Sequence, residues 1–485
     1  MASPGAFPSL KIRANKLVPQ GSFAEAQAAF LYPERSTVEK LDRLLSEKNV
    51  GVVAHFYMDP ELQGVLAACV WPHIHVSDSL AMADRAIQMA EAGVTTIVVL
   101  GVDFMSENVR AMLDASGHRD VRVYRVAADP IGCSLAEAAE AEAYGAYLQQ
   151  ASKTKNALHV VYINTSLISK AKAQALVPTI TCTSSNVVRT VLQAAHQVPE
   201  IEIFFGPDTY MGENLEQMFR TLAQLDDESV RSVHPAHTAK SVAAMLPRFH
   251  YFKQGNCIVH HMFGHEVVRT AEEKYPNAMV TAHLEVPGEM FSLGLSAQRV
   301  GRGVVGSTSN ILSFILAKVE DAIANDNASE LSFILGTEAG MITPIVKQVQ
   351  RRLIDDAAEG GAPVDVEIIF PVASEAIAES ADKSLPVVPG VASGEGCSVA
   401  GGCATCPYMK MNSLRGTFAL LESLGVRSGN ELLPYEPRVY TEAIRGRTAA
   451  DLGGEPILSM REFQKTGELS QNLVDDIVGR GRQAG

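Results

Sequence analysis

Gly51-Val52-Val53-Ala54-His55-Phe56-Tyr57, His159-Val160-Val161-Tyr162-Ile163-Asn164 and Met279-Val280-Thr281-Ala282-His283-Leu284-Glu285 share one pattern, an apolar run ending in polar side chains two residues apart. Each run has the length and β-branched content of a buried strand. A strand alternates faces, so His55 with Tyr57, Tyr162 with Asn164, and His283 with Glu285 are expected to project together. A repeat of roughly 100 to 125 residues suits a domain rather than a solenoid.

Three further landmarks follow in the same order. Ile74-His75-Val76-Ser77-Asp78-Ser79, Ile180-Thr181-Cys182-Thr183-Ser184-Ser185 and Val304-Val305-Gly306-Ser307-Thr308-Ser309 each pass from an apolar run to hydroxyl residues where a helical pattern begins. Such residues cap helices, and the free N–H groups there also attract anions. Next comes a strand ending in Gly-x-acid, as Gly101-Val102-Asp103, Gly206-Pro207-Asp208 and Gly336-Thr337-Glu338. A cysteine closes each unit: Cys133, Cys257 and the group ending at Cys406. Helical patterns such as Leu80 to Ala92 and Val187 to Ala195 separate the strands, which implies parallel sheets covered on both faces. The fold expected is α/β: three related units whose strand ends face a shared centre. The divisions expected are an N-terminal segment 1–36, units at 37–133, 134–257 and 258–415, and a helical extension 416–485 without assigned chemistry. Residues 378–402 read as a loop that delivers the last cysteines.

The composition is that of a globular chain, with 47% hydrophobic and 20% charged residues over 485 positions. Its net charge of −14 argues against a nucleic-acid surface, and no run approaches the roughly 18 apolar residues of a membrane helix. Seven cysteines, three of them (Cys397, Cys403, Cys406) close together, suggest metal or redox chemistry rather than a disulfide framework. Lys11, Arg13 and Lys16 precede the first acid, Glu25, as in the remnant of a transit peptide or in a disordered basic terminus.

Three thiolates from three units suit a 4Fe-4S cluster with one open iron acting as a Lewis acid. Zinc on Cys397-x5-Cys403-x2-Cys406, which lacks a nearby fourth ligand, and a Cys403/Cys406 redox pair are the competing readings. Cys69 reads as a buried small hydrophobe, and Cys182 as core packing beside the pocket. His55 and His283 occupy matching tips, while His260 follows Cys257 with His261 and His265 close by. Glu285 and Tyr57 are the general acid/base candidates, each sharing a tip with a histidine. Ser79, Ser184 and Thr308 read either as anion-binding hydroxyls or as helix caps.

Together with Ala54-His55-Phe56-Tyr57-Met58-Asp59-Pro60-Glu61, Gly132-Cys133-Ser134, Tyr162-Ile163-Asn164-Thr165-Ser166, Gly255-Asn256-Cys257-Ile258-Val259-His260 and Gly402-Cys403-Ala404-Thr405-Cys406-Pro407-Tyr408-Met409-Lys410-Met411-Asn412, these segments closely resemble the quinolinate synthase family, above all its plant-type branch. The resemblance runs from about Phe30 to about Leu414. It implies three pseudo-symmetric three-layer α/β/α domains with parallel sheets around a central cluster. The implied reaction condenses iminoaspartate with dihydroxyacetone phosphate to quinolinate, phosphate and water in NAD biosynthesis. By position it implies a 4Fe-4S cluster on Cys133, Cys257 and Cys406, with catalytic Glu285, Tyr57 and His283. Substrate-binding positions would be His55, Ser79, Tyr162, Asn164, Ser184, His260, Ser307 and Thr308. A functional link to L-aspartate oxidase and to a cysteine-desulfurase/sulfur-transfer system is implied, as are a homodimer and the plastid stroma, with the cytoplasm as the alternative. The sulfur-transfer domain of land-plant relatives is not expected here. The family's His-Pro-Glu-Cys reads His283-Leu284-Glu285-Val286 in this chain. Rival readings are an iron–sulfur hydro-lyase acting on another small acid and a non-catalytic cluster carrier.

Overall fold

A computed structural model describes residues 6–371 and 405–481. A basic hairpin, β1 (Ser9–Arg13) and β2 (Lys16–Gln20), comes first. Then follow β3 (Val50–His55), β4 (Ile74–Ser77), β5 (Thr96–Leu100) and β6 (Arg122–Arg125), and after them β7 (Ala157–Tyr162), β8 (Thr179–Cys182), β9 (Glu202–Gly206) and β10 (Phe249–Tyr251). The last group is β11 (Met279–His283), β12 (Gly303–Gly306), β13 (Ser329–Gly336) and β14 (Val364–Ile369). Helices run between the strands, so the chain is an α/β protein with several parallel-sheet units.

The sheets are ordered β4-β3-β5-β6, β10-β9-β7-β8 and β12-β11-β13-β14-β1-β2. In each, the first strand of the group lies between the second and the third. Register repeats as well. The last residue of the first strand pairs with the last residue of the second, as His55 with Ser77, Tyr162 with Cys182 and His283 with Gly306. The first strands of the first two groups are largely apolar, as strands covered on both faces are; all six residues of β3 and all six of β7 are buried.

The strands stop two residues earlier than their hydrophobic patterns suggest. Tyr57, Asn164 and Glu285 therefore lie past the ladder, and the turn rather than the pleat sets their direction.

The N-terminal residues carry structure of their own. β1 pairs antiparallel with β14, and the basic side chains find acids of the third sheet: Arg13 bonds Asp365 at 2.6 Å, and Lys11 pairs with Glu330. Cys397, Cys403 and the 378–402 loop lie outside the described residues, and so does the Cys403/Cys406 redox question.

The C-terminal extension is helical and packed. Helix Ala449–Thr466 lies on helix Leu167–Leu176, joining Ala449 and Leu452 to Ile168, Ala171 and Ala175. Gly453 makes this approach possible, since a Cβ there would fall 2.3 Å from the carbonyl oxygen of Leu167. Arg125, almost fully buried, bonds Asp103 at 2.6 Å and donates to the carbonyl of Pro434 at 2.8 Å, tying the extension to the first sheet as well. Gly453→Val is expected to lower stability by about 1–3 kcal/mol, the usual cost of overpacking against a backbone that cannot yield. Urea unfolding should register this as a lower midpoint at unchanged slope.

Candidate active site

The carboxyl ends of β3, β4, β7, β8, β11 and β12 open onto one chamber with about 800 Å³ of empty space including its mouth. His55, Tyr57, Ser79, Tyr162, Asn164, Ser184, His260, His283, Glu285, Thr308, Cys133, Cys257 and Cys406 all line it. Ser307 is the one expected site residue outside that lining. It caps helix Thr308–Ala324, exchanging hydrogen bonds with Asn310.

Two tips share a local device. The backbone N–H of Tyr57 donates to His55 Nδ1 at 3.2 Å, and that of Glu285 donates to His283 Nδ1 at 3.3 Å. With Nδ1 accepting, the proton of each neutral ring resides on Nε2. Burial keeps both rings neutral against the pull of Glu285, lowering His55 to about 4 and His283 to about 3. His283 Nε2 lies 3.2 Å from Ser184 Oγ. Each tip thus offers an N–H donor without carrying charge.

Glu285 is the charged member. Burial would raise its carboxyl, but His260, at 3.0 Å through Nδ1, together with His283 and the Tyr162 hydroxyl, outweighs that and holds it well below the usual range. Tyr57 is the opposite case. Burial and the negative charge of Glu285 raise its hydroxyl well above the ordinary value, and it bonds Thr337 Oγ1 at 3.1 Å.

Helix capping does not account for the hydroxyls of Ser79, Ser184 and Thr308. The caps are Asp78, whose carboxylate accepts from Leu80 and Ala81, then Asn186, and Ser307. Ser79, Ser184 and Thr308 stand beside the caps and line the chamber instead.

Ligand atoms of Cys257, His260 and Glu285 lie within 4.8 Å of one another. His260 Nε2 is buried without a partner, and Nδ1 lies 3.3 Å from Cys257 Sγ. One soft, one intermediate and one hard donor fit a single transition-metal ion with a coordination position left open. This corrects the cofactor expectation. Among the described residues the converging donors are one cysteine, one histidine and one glutamate, not the three cysteines of a 4Fe-4S cluster. Cys133 and Cys406 line the chamber without belonging to that set. Burial raises all three thiols, Cys133 to about 11 and the other two well above the ordinary value. The field of a bound cation is what would draw a proton from such a thiol.

A family of known sequences, described as Quinolinate synthetase A protein, matches residues 39–364. The chain belongs to this family. A relative in Nicotiana tabacum, named "Quinolinate synthase, chloroplastic", is 54% identical over 99% of this chain and 68% of its own length. One of the same name in Oryza sativa subsp. japonica is 52% identical over 98% of this chain and 70% of its own. The "Quinolinate synthase" of Prosthecochloris aestuarii is 29% identical over 64% of this chain and 74% of its own. The chain spans about two thirds of the length of its plant relatives.

Several lining residues of this member of the quinolinate synthetase A family were not singled out as site residues from sequence. Glu338 is fully buried, accepts the Cys406 backbone N–H at 2.6 Å, and leaves its second oxygen without a partner. Its signal was present in the Gly336-Thr337-Glu338 landmark. Asp78 and Thr183 adjoin predicted hydroxyls, whereas Phe104, Met105 and Tyr408 carry no local mark.

Cys257→Ala is expected to lose bound metal by more than the roughly 10- to 100-fold that removing an outer-shell partner costs. Cys69→Ala should keep the metal. Elemental analysis after anaerobic purification distinguishes the two. A second expectation follows from the neutral rings. Unfolded histidine takes up a proton at 6.5, but folded His55 does so only near 4. Stability is therefore full above about pH 6.5 and declines as pH falls toward about 4. Thermal melts across that window should show the decline, and His55→Asn should lessen it, with His283, His159 and His234 still contributing.

Proposed function

We propose that this chain is a quinolinate synthase, condensing iminoaspartate with dihydroxyacetone phosphate to quinolinate, phosphate and water. The supporting observation is the meeting of three sets of polar strand tips in one chamber of a chain from this family. The substrates are small and anionic, and the chamber offers donors rather than a basic surface. His55 and His283 present Nε2–H groups to carboxylate or phosphate oxygens. Ser79 and Thr308, the first residues of their helices, add hydroxyl donors suited to phosphate.

Proton traffic is divided by ionisation state. Glu285 is the acceptor. Its Oε2 pairs with His260 and its Oε1 accepts the Tyr162 hydroxyl, which holds a charged carboxylate on the chamber wall. Tyr57 retains its proton and so serves as the donor to a departing oxygen. Cys257, His260 and Glu285 would hold a metal ion, which would supply a Lewis acid toward a substrate oxygen. Tyr162, Asn164 and Ser184 orient the substrates, with Ser307 acting through the helix that it caps.

The repeated strand order and register support three pseudo-symmetric units, divided near Cys133 and Cys257, as the source of this arrangement. The names of the plant relatives support the plastid stroma as the location. An L-aspartate oxidase is the matching source of iminoaspartate. No helix among the described residues is long and apolar enough to cross a membrane.

The decisive assay supplies iminoaspartate and dihydroxyacetone phosphate anaerobically and measures quinolinate and phosphate together. Equal amounts of both are expected; phosphate release without quinolinate would refute the assignment. Glu285→Gln should lower kcat by about 10²- to 10⁴-fold, the contribution of a general base, while the far-ultraviolet spectrum stays unchanged.

A further inference from the structure

Lys170 does not line the chamber, yet it is fully buried behind one wall of it. It lies on helix Leu167–Leu176, and its Nζ donates to the carbonyl of Ile163 at 3.2 Å and to that of Thr165. These two carbonyls flank Asn164, which lines the chamber at the centre of a tight turn closed by Thr165 N–H to Ile163 O at 2.7 Å. Nζ also lies 5.9 Å from the ring centroid of Phe104, another wall residue.

Behind Lys170 stands a second buried group. Glu107, 1% exposed, accepts the Leu167 N–H at 3.0 Å and the Tyr440 hydroxyl at 2.9 Å, and its charge acts on Lys170. Tyr440 belongs to the C-terminal extension, so three parts of the chain meet at this anchor.

We infer that Lys170 is a positioning residue for the proposed condensation, fixing Asn164 against substrate by tying down the carbonyls on either side of it. The inference rests on the quinolinate synthase reading. Ile163 and Thr165 follow β7 directly, and their interior carbonyls need donors that the ladder does not supply. An apolar side chain would fill the space but remove the amine donor from both carbonyls, leaving only the Thr165 N–H on Ile163 to hold the turn. Burial draws the Lys170 amine down to about 7 against the pull of Glu107. Both the ammonium and the neutral amine have enough N–H groups for two carbonyls, so the anchor holds in either form.

A double-mutant cycle of Lys170→Met with Asn164→Ala tests this, read by kcat/KM and by calorimetric titration with quinolinate. Lys170→Met alone is expected to lower kcat/KM and weaken quinolinate binding by about 10- to 100-fold, the scale of an ångström-sized misplacement. In the Asn164→Ala background the same change should cost less than about twofold. Equal losses in both backgrounds would mean general structural damage and would overturn the inference. Should Lys170→Met fail to fold, Glu107→Gln, whose amide oxygen can still accept the Leu167 N–H while its amide N–H donates to the Tyr440 hydroxyl oxygen, replaces it; a smaller loss with the same non-additivity is expected, and additivity overturns the inference. A wild-type chain that neither forms nor binds quinolinate overturns the functional reading and this inference with it. A wild type that does both, paired with an additive cycle, overturns this inference alone.

Discussion

A carboxylate removed from water must be compensated by protein groups, and the chamber is arranged around this requirement at Glu285. Tyr162 reaches it from the end of β7 and His260 from the turn after Cys257. The compensation therefore joins the second sheet to the third. It also sets the state of neighbouring acids. Burial, reinforced by the charge on Glu285, raises Asp208 and Glu338 well above the usual carboxylate range. Glu285 is held toward its charged form, while Asp208, Glu338 and Tyr57 are pushed toward their protonated forms. That asymmetry separates acceptor from donor in a small space.

Parallel pairing supplies the scaffold for this arrangement. Because first and second strands end level in each sheet, six chain ends stop at one depth and six turns begin there. Side chains in those turns are held by short backbone contacts rather than by the pleat. The His55 and His283 devices show this, each ring being fixed by an N–H two residues further on. Asn164 has no ring of this kind beside it, and its turn is braced from the interior.

Much of this was legible in the sequence because each unit carries an ordered set of marks. Apolar runs with polar tips located β3, β7 and β11, and the Gly-x-acid segments located the ends of β5, β9 and β13. The positions brought to the chamber were readable for the same reason: strand ends of parallel sheets converge. Convergence of donors at ångström scale was not readable. Cys257, His260 and Glu285 are near neighbours because a turn folds His260 back on Cys257 and Glu285 meets His260 from beyond the end of β11. The identity of the caps was equally hidden, since Asp78 and Ser79 are adjacent and either can cap a helix. The basic residues Lys11, Arg13 and Lys16 match a leading peptide in composition, but the partners of Lys11 and Arg13 lie more than three hundred residues away, beyond the reach of local pattern.

The hairpin those residues build has a consequence for the behaviour of the protein in concentrated solution. The third sheet would otherwise end at β14, a strand whose open hydrogen-bonding groups could recruit a strand from another molecule. β1 occupies that edge, and β2 becomes the border. There Pro19 offers no N–H and Lys16 places a charge, two features that discourage strand-by-strand growth. The opening residues thus act as a hem for the largest sheet, shielding the folded enzyme from edge-to-edge polymerisation.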